Sequence, residues 1–507
     1  MQQGGQGIAS DYRMNISFKN IQEEEITADI LILPVPEDYW TDIYSNLDLL
    51  INGLLSVVIN SKDFTGKLGQ TVVLPVKQIN SARIMLSGMG KRDEISQESI
   101  RKAGAKAFSA VKELGVLEIA VSTKLLHDLP EGKSFVQKPI LYFLEGGILG
   151  MYCFEKYKTD EKMRKGKNEK LSVTVLGDDK SIETADLLNI TSATCFARDL
   201  INTPANDLTP STLAELAGSI KGKGVKVKVL ERRDIEREGM GAYLAVTKGS
   251  DEPLKFIVME YIGGKGRPVV LVGKSVTFDS GGLNIKPGEG MERMKSDMAG
   301  GAVVLAVLKA VVAMKMRVNV VGILPAVENL IGGSATRPGD IVKTITGKTV
   351  EIINTDAEGR LTLADAIGYA IKYKKPRVII DIATLTGACS MAFGNEAIAM
   401  MGTDAELMDR LKAVSEEVYE RVWPMPLFEE YKDYLKSDIA DIKNVGGRKG
   451  ALASSASFLS EFAGDTPWVH LDIAGAAWSD KDRPYAPKGA TGVGVRLLLN
   501  FLKEMPS

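Results

Sequence analysis

From about residue 225 onward, short apolar and β-branched runs (RPVVLVG, RVNVVGILP, TVEIIN and RVIIDIATL) alternate with stretches of helical periodicity such as DMAGGAVVLAVLKAVVAM and LTLADAIGYAIKYKK. A strand that is apolar at nearly every position has to be buried on both faces. Regular exchange of such strands with helices leaves one simple solution: an α/β domain with a mostly parallel, doubly wound sheet covered by helices. Ligands of such sheets bind beyond the carboxyl ends of the strands. The polar residues that follow each apolar run are therefore where chemistry is expected.

A chain of 507 residues exceeds one hydrophobic core, so two domains are expected. In the first part, residues 28–35, 69–76 and 82–90 read as strands and 96–115 as an amphipathic helix, with no concentration of catalytic residue types. A lysine-rich polar stretch over 155–170 breaks that pattern before the strand-like LSVTVLGDD. The expected division is a non-catalytic N-terminal α/β domain over 1–182 and a larger catalytic domain over 183–507.

Composition excludes several classes. With 63 basic and 65 acidic residues the net charge is −2, which gives no global electrostatic case for nucleic acid or a membrane surface. The one basic run, RKGKNEK, reads as a solvated face. The most apolar stretch, GGAVVLAVLKAVVAM, is short for a bilayer and interrupted by Lys309. The start, MQQGGQGIAS, lacks the features of a signal peptide and reads as a flexible leader. Cys153, Cys195 and Cys389 are scattered without a CxxC pair, which fits a reducing cytoplasm. Histidine occurs only at 127 and 470, and HExxH is absent. His470 lies in WVHLDIAG, a buried-strand pattern, and is expected to be a satisfied core histidine. LVGKS is not a phosphate loop, because Pro268 stands where the pattern requires glycine.

What remains is a constellation after the apolar runs. Lys274 and Asp279 follow PVVLVG; Asp356, Glu358 and Arg360 follow VEIIN; Lys286 sits in NIKPG and Asp297 in MKSDMAGG. Singly, each acid reads as a helix cap or a loop residue. Together they repel, and a buried cluster needs cations to neutralise it. Lysines and an arginine could do this structurally, but divalent ions are the better account, and oxygen donors suit Mn²⁺, Mg²⁺ or Zn²⁺. Two ions sharing a carboxylate, about 3.5–4 Å apart, form a centre that activates water for hydrolysis. Asp356 and Glu358, two positions apart, would point to one side of an extended segment.

NTDAEGRL resembles the signature of the leucyl aminopeptidase family (cytosol aminopeptidases, peptidase family M17). VGKSVTFDSGGLNIKPG, MKSDMAGGAVV and WVHLDIAG are similar to further blocks of that family in the same order, and ARDLINTPANDLTP to its entry into the catalytic domain. The resemblance covers the chain from about residue 190 to the end. It implies a cytoplasmic metal-dependent aminopeptidase that releases N-terminal residues, preferably apolar ones such as leucine, from peptides. One ion (Mn²⁺ or Zn²⁺) would be held by Lys274, Asp279, Asp297 and Glu358, the other by Asp279, Asp356 and Glu358. Lys274 would have to be neutral to serve as a ligand. Lys286 and Arg360 would be the catalytic pair, Lys286 stabilising the oxyanion and Arg360 holding a bicarbonate that shuttles the proton. Lys286, Met294, Thr384 and Gly387 would contact substrate, the last three lining the first side-chain pocket. GGRKGALASSASFL departs from the family pattern at Ala451, where glycine is expected near that pocket. The family further implies a homohexamer with its sites facing an interior cavity. Two other classes are separable by assay: a metal-dependent phosphoesterase and a DNA-binding protein.

Overall fold

The computed structural model describes residues 14–37, 43–127, 138–160, 171–177 and 184–505. The leader, the run RKGKNEK and the expected domain boundary at 182 lie outside the described residues. By internal contacts the chain divides into two compact units, Met1–Ser192 with Lys481–Pro487, and Ala193–Asp480 with Lys488–Ser507.

The first unit is built on a six-stranded sheet in the order Met14–Lys19, Leu171–Leu176, Glu118–Ser122, Ile30–Glu37, Arg83–Lys91, Thr71–Pro75. All neighbours are parallel except the last pair. The helix expected at 96–115 is Gln97–Leu114, started by a capping box between Ser96 and Ser99.

The second unit holds a nine-stranded sheet. At its centre run Trp468–Asp472, Val378–Ala383, Val269–Gly273 and Asn319–Asn329, each parallel to the next. Ser275–Asp279 pairs in parallel with the far half of Asn319–Asn329. Antiparallel strands flank this core: Lys255–Ile262 and Val225–Leu230 on one side, Ile398–Gly402 on the other. Val269–Gly273, Val378–Ala383 and Trp468–Asp472 are buried at every position, as strands covered on both faces must be.

One expected strand is placed elsewhere. Only Thr349–Glu351 of TVEIIN is a strand, and it belongs to a separate three-stranded sheet with Ile341–Lys343 and Ile442–Lys443. Its three residues, Thr349, Val350 and Glu351, bury only the valine fully, so the segment has neither the length nor the all-apolar character of a core strand. The apolar stretch around Lys309 also reads differently in three dimensions. With the preceding helical turn it forms a segment, Met291–Ala313, long and apolar enough to cross a membrane, yet 78% of its apolar window is buried inside the protein. Its helix Ala299–Ala313 packs on the sheet as a core helix.

Candidate metal centre

The site lies at the carboxyl ends of the central strands. Lys274 follows Val269–Gly273 directly, its N–H bonded to the Ile382 carbonyl (3.1 Å) and its carbonyl accepting the Gly301 N–H (2.7 Å). That second bond ties the start of the helix Ala299–Ala313 to the sheet. The approach requires glycine: a Cβ on Gly300 would stand 2.0 Å from the Ile382 carbonyl oxygen. Asp297, just before this helix, is thereby brought onto the lysine. Lys274 Nζ lies 2.7 Å from Asp297 Oδ2, 2.8 Å from Glu358 Oε1 and 2.9 Å from the Thr384 carbonyl oxygen. Glu358 is the N-cap of the helix Gly359–Lys374. Gly359 leaves room for the lysine stem, since a Cβ there would meet Lys274 Cε at 2.6 Å.

Lys286 bridges the other two carboxylates, with Nζ 2.7 Å from Asp279 Oδ2 and 2.6 Å from Asp356 Oδ1. Ligand atoms of Asp279, Asp356 and Glu358 all lie within 4.8 Å of one another. The expectation that Asp356 and Glu358 share an extended segment is corrected here. Glu358 has helical angles (φ −76°, ψ −37°), and the Asp356 N–H is turned in by a 2.9 Å bond to Asn354 Oδ1. A tight turn, not a strand, makes them converge.

An amide scaffold holds this arrangement. Asn329 Nδ2 donates to Asp279 Oδ1 (2.8 Å) and to the Thr355 carbonyl (3.0 Å), so one side chain joins the strand end to the acidic turn. Asn284 Oδ1 accepts the Thr355 N–H at 2.8 Å. Asn444, more distant in sequence, accepts the Ile353 N–H (2.9 Å) and donates to the Asn354 carbonyl (2.7 Å), while its own carbonyl accepts Arg360 Nη1 (2.9 Å).

Burial dominates the electrostatics. It pushes the carboxyls of Asp279, Asp297 and Asp356 above the ordinary carboxylate range; Glu358 adds to the rise at Asp279 and Asp297, and the lysines oppose it. Burial would also pull the two ammonium groups down, but the surrounding carboxylates, led by Asp297 at Lys274 and by Asp279 at Lys286, outweigh it and hold both above the usual lysine range. Arg360 is lowered to about 10 by burial, against the pull of Glu358 and Asp472.

The lysines do not satisfy everything. Glu358 Oε2 and Arg360 Nε are buried without a hydrogen-bond partner among the described residues. Most buried polar side-chain atoms have a partner. An orphaned carboxylate oxygen in a ring of acids is the atom a divalent cation would take up, and an orphaned guanidinium N–H is the donor an anion would take up. The donor set, carboxylate oxygens with one amine, fits hard or borderline cations.

Of the expected substrate contacts, Thr384 stands at the centre: its Oγ1 donates to Asp297 Oδ1 at 2.8 Å. Gly387 starts the helix Gly387–Phe393 and is exposed, with open space where a Cβ would be. Met294 is half-buried in the 3-10 turn Met291–Ser296 leading to Asp297. Ala451 is half-buried and opens the helix Ala451–Ala463. His470 is fully buried, as expected, with Nδ1 2.5 Å from Asp381 Oδ1, but only half satisfied, because its Nε2 has no partner. No nucleophile therefore stands on that nitrogen among the described residues.

Sequence reading passed over Asn329, Asn444, Thr355 and Asp472. Asp472 had a visible signal, an acid at the carboxyl end of a wholly apolar run. The amides had none, because their partners are remote in sequence.

Residues 195–499 match the profile of the cytosol aminopeptidase family, catalytic domain, and residues 40–161 that of its N-terminal domain. A probable cytosol aminopeptidase of Geotalea uraniireducens (strain Rf4) is 45% identical over 470 residues, covering 91% of this chain and 94% of that protein. One from Geobacter sp. (strain M21) is 42% identical over 499 residues, covering 97% and 100%. Among solved structures, a point mutant of tomato leucine aminopeptidase is similar with TM-score 0.85 at 32% identity, covering 97% of each chain. The bottromycin maturation enzyme BotP in complex with Mn has TM-score 0.82 at 31% identity, covering 94% of this chain and 99% of that one.

Proposed function

We propose, for a chain that belongs to the cytosol aminopeptidase family and is a metal-dependent aminopeptidase, that the carboxylate cluster holds two divalent ions, Mn²⁺ or Zn²⁺. Lys274, Asp279, Asp297 and Glu358 would hold one, and Asp279, Asp356 and Glu358 the other. The observation that supports this most is the convergence of Asp279, Asp356 and Glu358 around a buried Glu358 oxygen left without a partner. Bound divalent ions supply a water of lowered pKa and polarise a carbonyl oxygen. To hold an ion, Lys274 would have to be a neutral amine.

The chain's own residues do the rest. Lys286 is freed from Asp279 and Asp356 when other cations neutralise them, and its ammonium then donates to the oxygen that becomes negative as water attacks the peptide carbonyl. Arg360, with one buried donor unused, fits an oxyanion such as bicarbonate, which supplies a proton acceptor where no histidine is at hand. The substrate's free α-amino group belongs in the same acidic ring, which restricts cleavage to the N-terminal residue. Thr384, Gly387 and Met294 line the pocket for that residue's side chain, with leucine the preferred occupant. Catalysis thus resides in the unit that begins near residue 193, with the N-terminal unit non-catalytic. The same reading includes a homohexamer, checked by light scattering against six times the chain mass of 54.8 kDa. It also includes a reducing cytoplasmic setting, in keeping with three cysteines scattered along the chain without a CxxC pair.

Hydrolysis of leucyl-p-nitroanilide before and after chelation, with its N-acetylated analogue and a p-nitrophenyl phosphate control, tests the reaction. The expected result is chelator-sensitive cleavage of the free amine only. Equal cleavage of the acetylated analogue, or release of phosphate instead, would overturn it.

A further inference from the structure

The strand Trp468–Asp472 ends in a carboxylate with no solvent exposure. Asp472 Oδ1 accepts the N–H of Leu385 (3.1 Å) and of Ala474 (3.1 Å), and Oδ2 accepts the Thr386 hydroxyl (2.7 Å). The Thr386 hydroxyl in turn accepts the Cys389 N–H at 3.1 Å, capping the helix Gly387–Phe393. Leu385 and Thr386 directly follow Thr384, whose carbonyl accepts from Lys274 Nζ (2.9 Å) and whose hydroxyl donates to Asp297 Oδ1 (2.8 Å). One buried acid therefore fixes the segment that grips two residues of the metal centre.

We propose that Asp472 is a positioning residue: acting through Thr386 and the Leu385 N–H, its carboxylate sets the Thr384 carbonyl and hydroxyl that orient Lys274 and Asp297 toward the metal ions. The proposal rests on the metal-centre reading above. Its physical basis is the flexibility of lysine. A four-carbon stem leaves the amine free to rotate, and an amine acting as a ligand must keep its lone pair aimed while its N–H bonds are used elsewhere. The Thr384 carbonyl takes one of those N–H bonds. An acceptor that moved with a loose loop could not hold the amine, and partners beyond the ligands commonly govern metal affinity in this way. The negative charge has a second use, because Asp472 is one of the two carboxylates that support the buried Arg360 guanidinium.

The test uses the full-length protein and four variants: Thr386→Val, Thr386→Ser, Asp472→Asn and, as reference, Asp279→Ala. Mn²⁺ affinity by titration, kcat and KM on leucyl-p-nitroanilide, and thermal unfolding of the metal-free form are measured for each. Thr386→Val is expected to weaken Mn²⁺ binding by roughly 10- to 100-fold and to lower kcat more than it raises KM. Thr386→Ser, which keeps the hydroxyl, should restore both quantities to near the parent. Asp472→Asn leaves the Thr386 cap in place and should move both in the same direction as Thr386→Val. Parent-like Mn²⁺ affinity and kcat in Thr386→Val, with or without a lower unfolding temperature, would reduce Asp472 to a loop anchor and overturn the proposal while Asp279→Ala loses its metal. If Asp279→Ala also keeps parent affinity, the metal-centre reading itself falls.

Discussion

Glu358 caps the helix Gly359–Lys374, and Asp365 lies about two turns further along it. Both are buried carboxylates, at 2% and 0% exposure, and their surroundings differ in kind. Asp365 spends both oxygens on backbone donors, the Tyr243 N–H and the Ile345 N–H, each at 2.8 Å. It pins the helix to two neighbouring segments without any cation partner among the described residues. Glu358 has a lysine at 2.8 Å on one oxygen and, among the described residues, no hydrogen-bond partner on the other. Burial is common to both residues; the unsatisfied atom is not. A buried acid whose acceptors are all used serves the architecture, and one with an acceptor left over is the stronger candidate for a ligand contact.

The comparison breaks first at the proposed metal ligands. Glu358→Ala and Asp279→Ala should each lower turnover by roughly a thousandfold or more and reduce bound metal, measured by steady-state kinetics with elemental analysis. Asp365→Ala should leave metal content and the kinetics of folded protein near the parent and lower the unfolding temperature instead. Next in size is Lys286→Ala, expected to cost roughly a hundredfold in turnover, the scale of a lost oxyanion donor. Its KM should move less than its kcat and its loaded metal content should be unchanged. Near-normal turnover would exclude the oxyanion role, and loss of metal would make Lys286 a builder of the site.

The pH dependence of stability sharpens the contrast further. Burial raises Asp365 from the ordinary carboxylate range to about 7. The folded state therefore holds a proton that the unfolded state has released between pH of about 4 and 7, so stability falls as pH rises through that window and is flat above it. Measured by urea unfolding of metal-free protein, the stability of the parent relative to Asp365→Asn should decline from about pH 4 to 7 and level off above. A constant difference would show that Asp365 does not titrate there. The smallest effect belongs to the pocket. Met294→Ala should change the leucine-to-alanine preference by no more than roughly 10- to 200-fold in kcat/KM, the scale of an apolar side-chain contact, with metal content untouched.

How far the sequence reveals this arrangement depends on distance along the chain. VVLVG and VIIDIA announce themselves, because burial on both faces forces an uninterrupted apolar run, and the residues just after them are the site. The local turn is less legible. TVEII carries the same residue types for only three strand positions, and its place in a small separate sheet depends on Ile442–Lys443, almost a hundred residues later. The i, i+2 spacing predicts that Asp356 and Glu358 converge, and they do, through a turn in which Glu358 is helical. Asn329 and Asn444 hold the site by bonds to residues 26 to 91 positions away, so no local pattern marks them, whereas Asp472 is marked only by its place at the end of an apolar run.

The central claim is that the orphaned acidic ring is a two-ion centre, and counting ions tests it most directly. Elemental analysis of Mn²⁺-loaded, buffer-exchanged protein should give two ions per chain in the parent, one in Asp356→Ala, and fewer than one in Glu358→Ala. Two ions retained in Glu358→Ala, or a fully active parent with none, would contradict it.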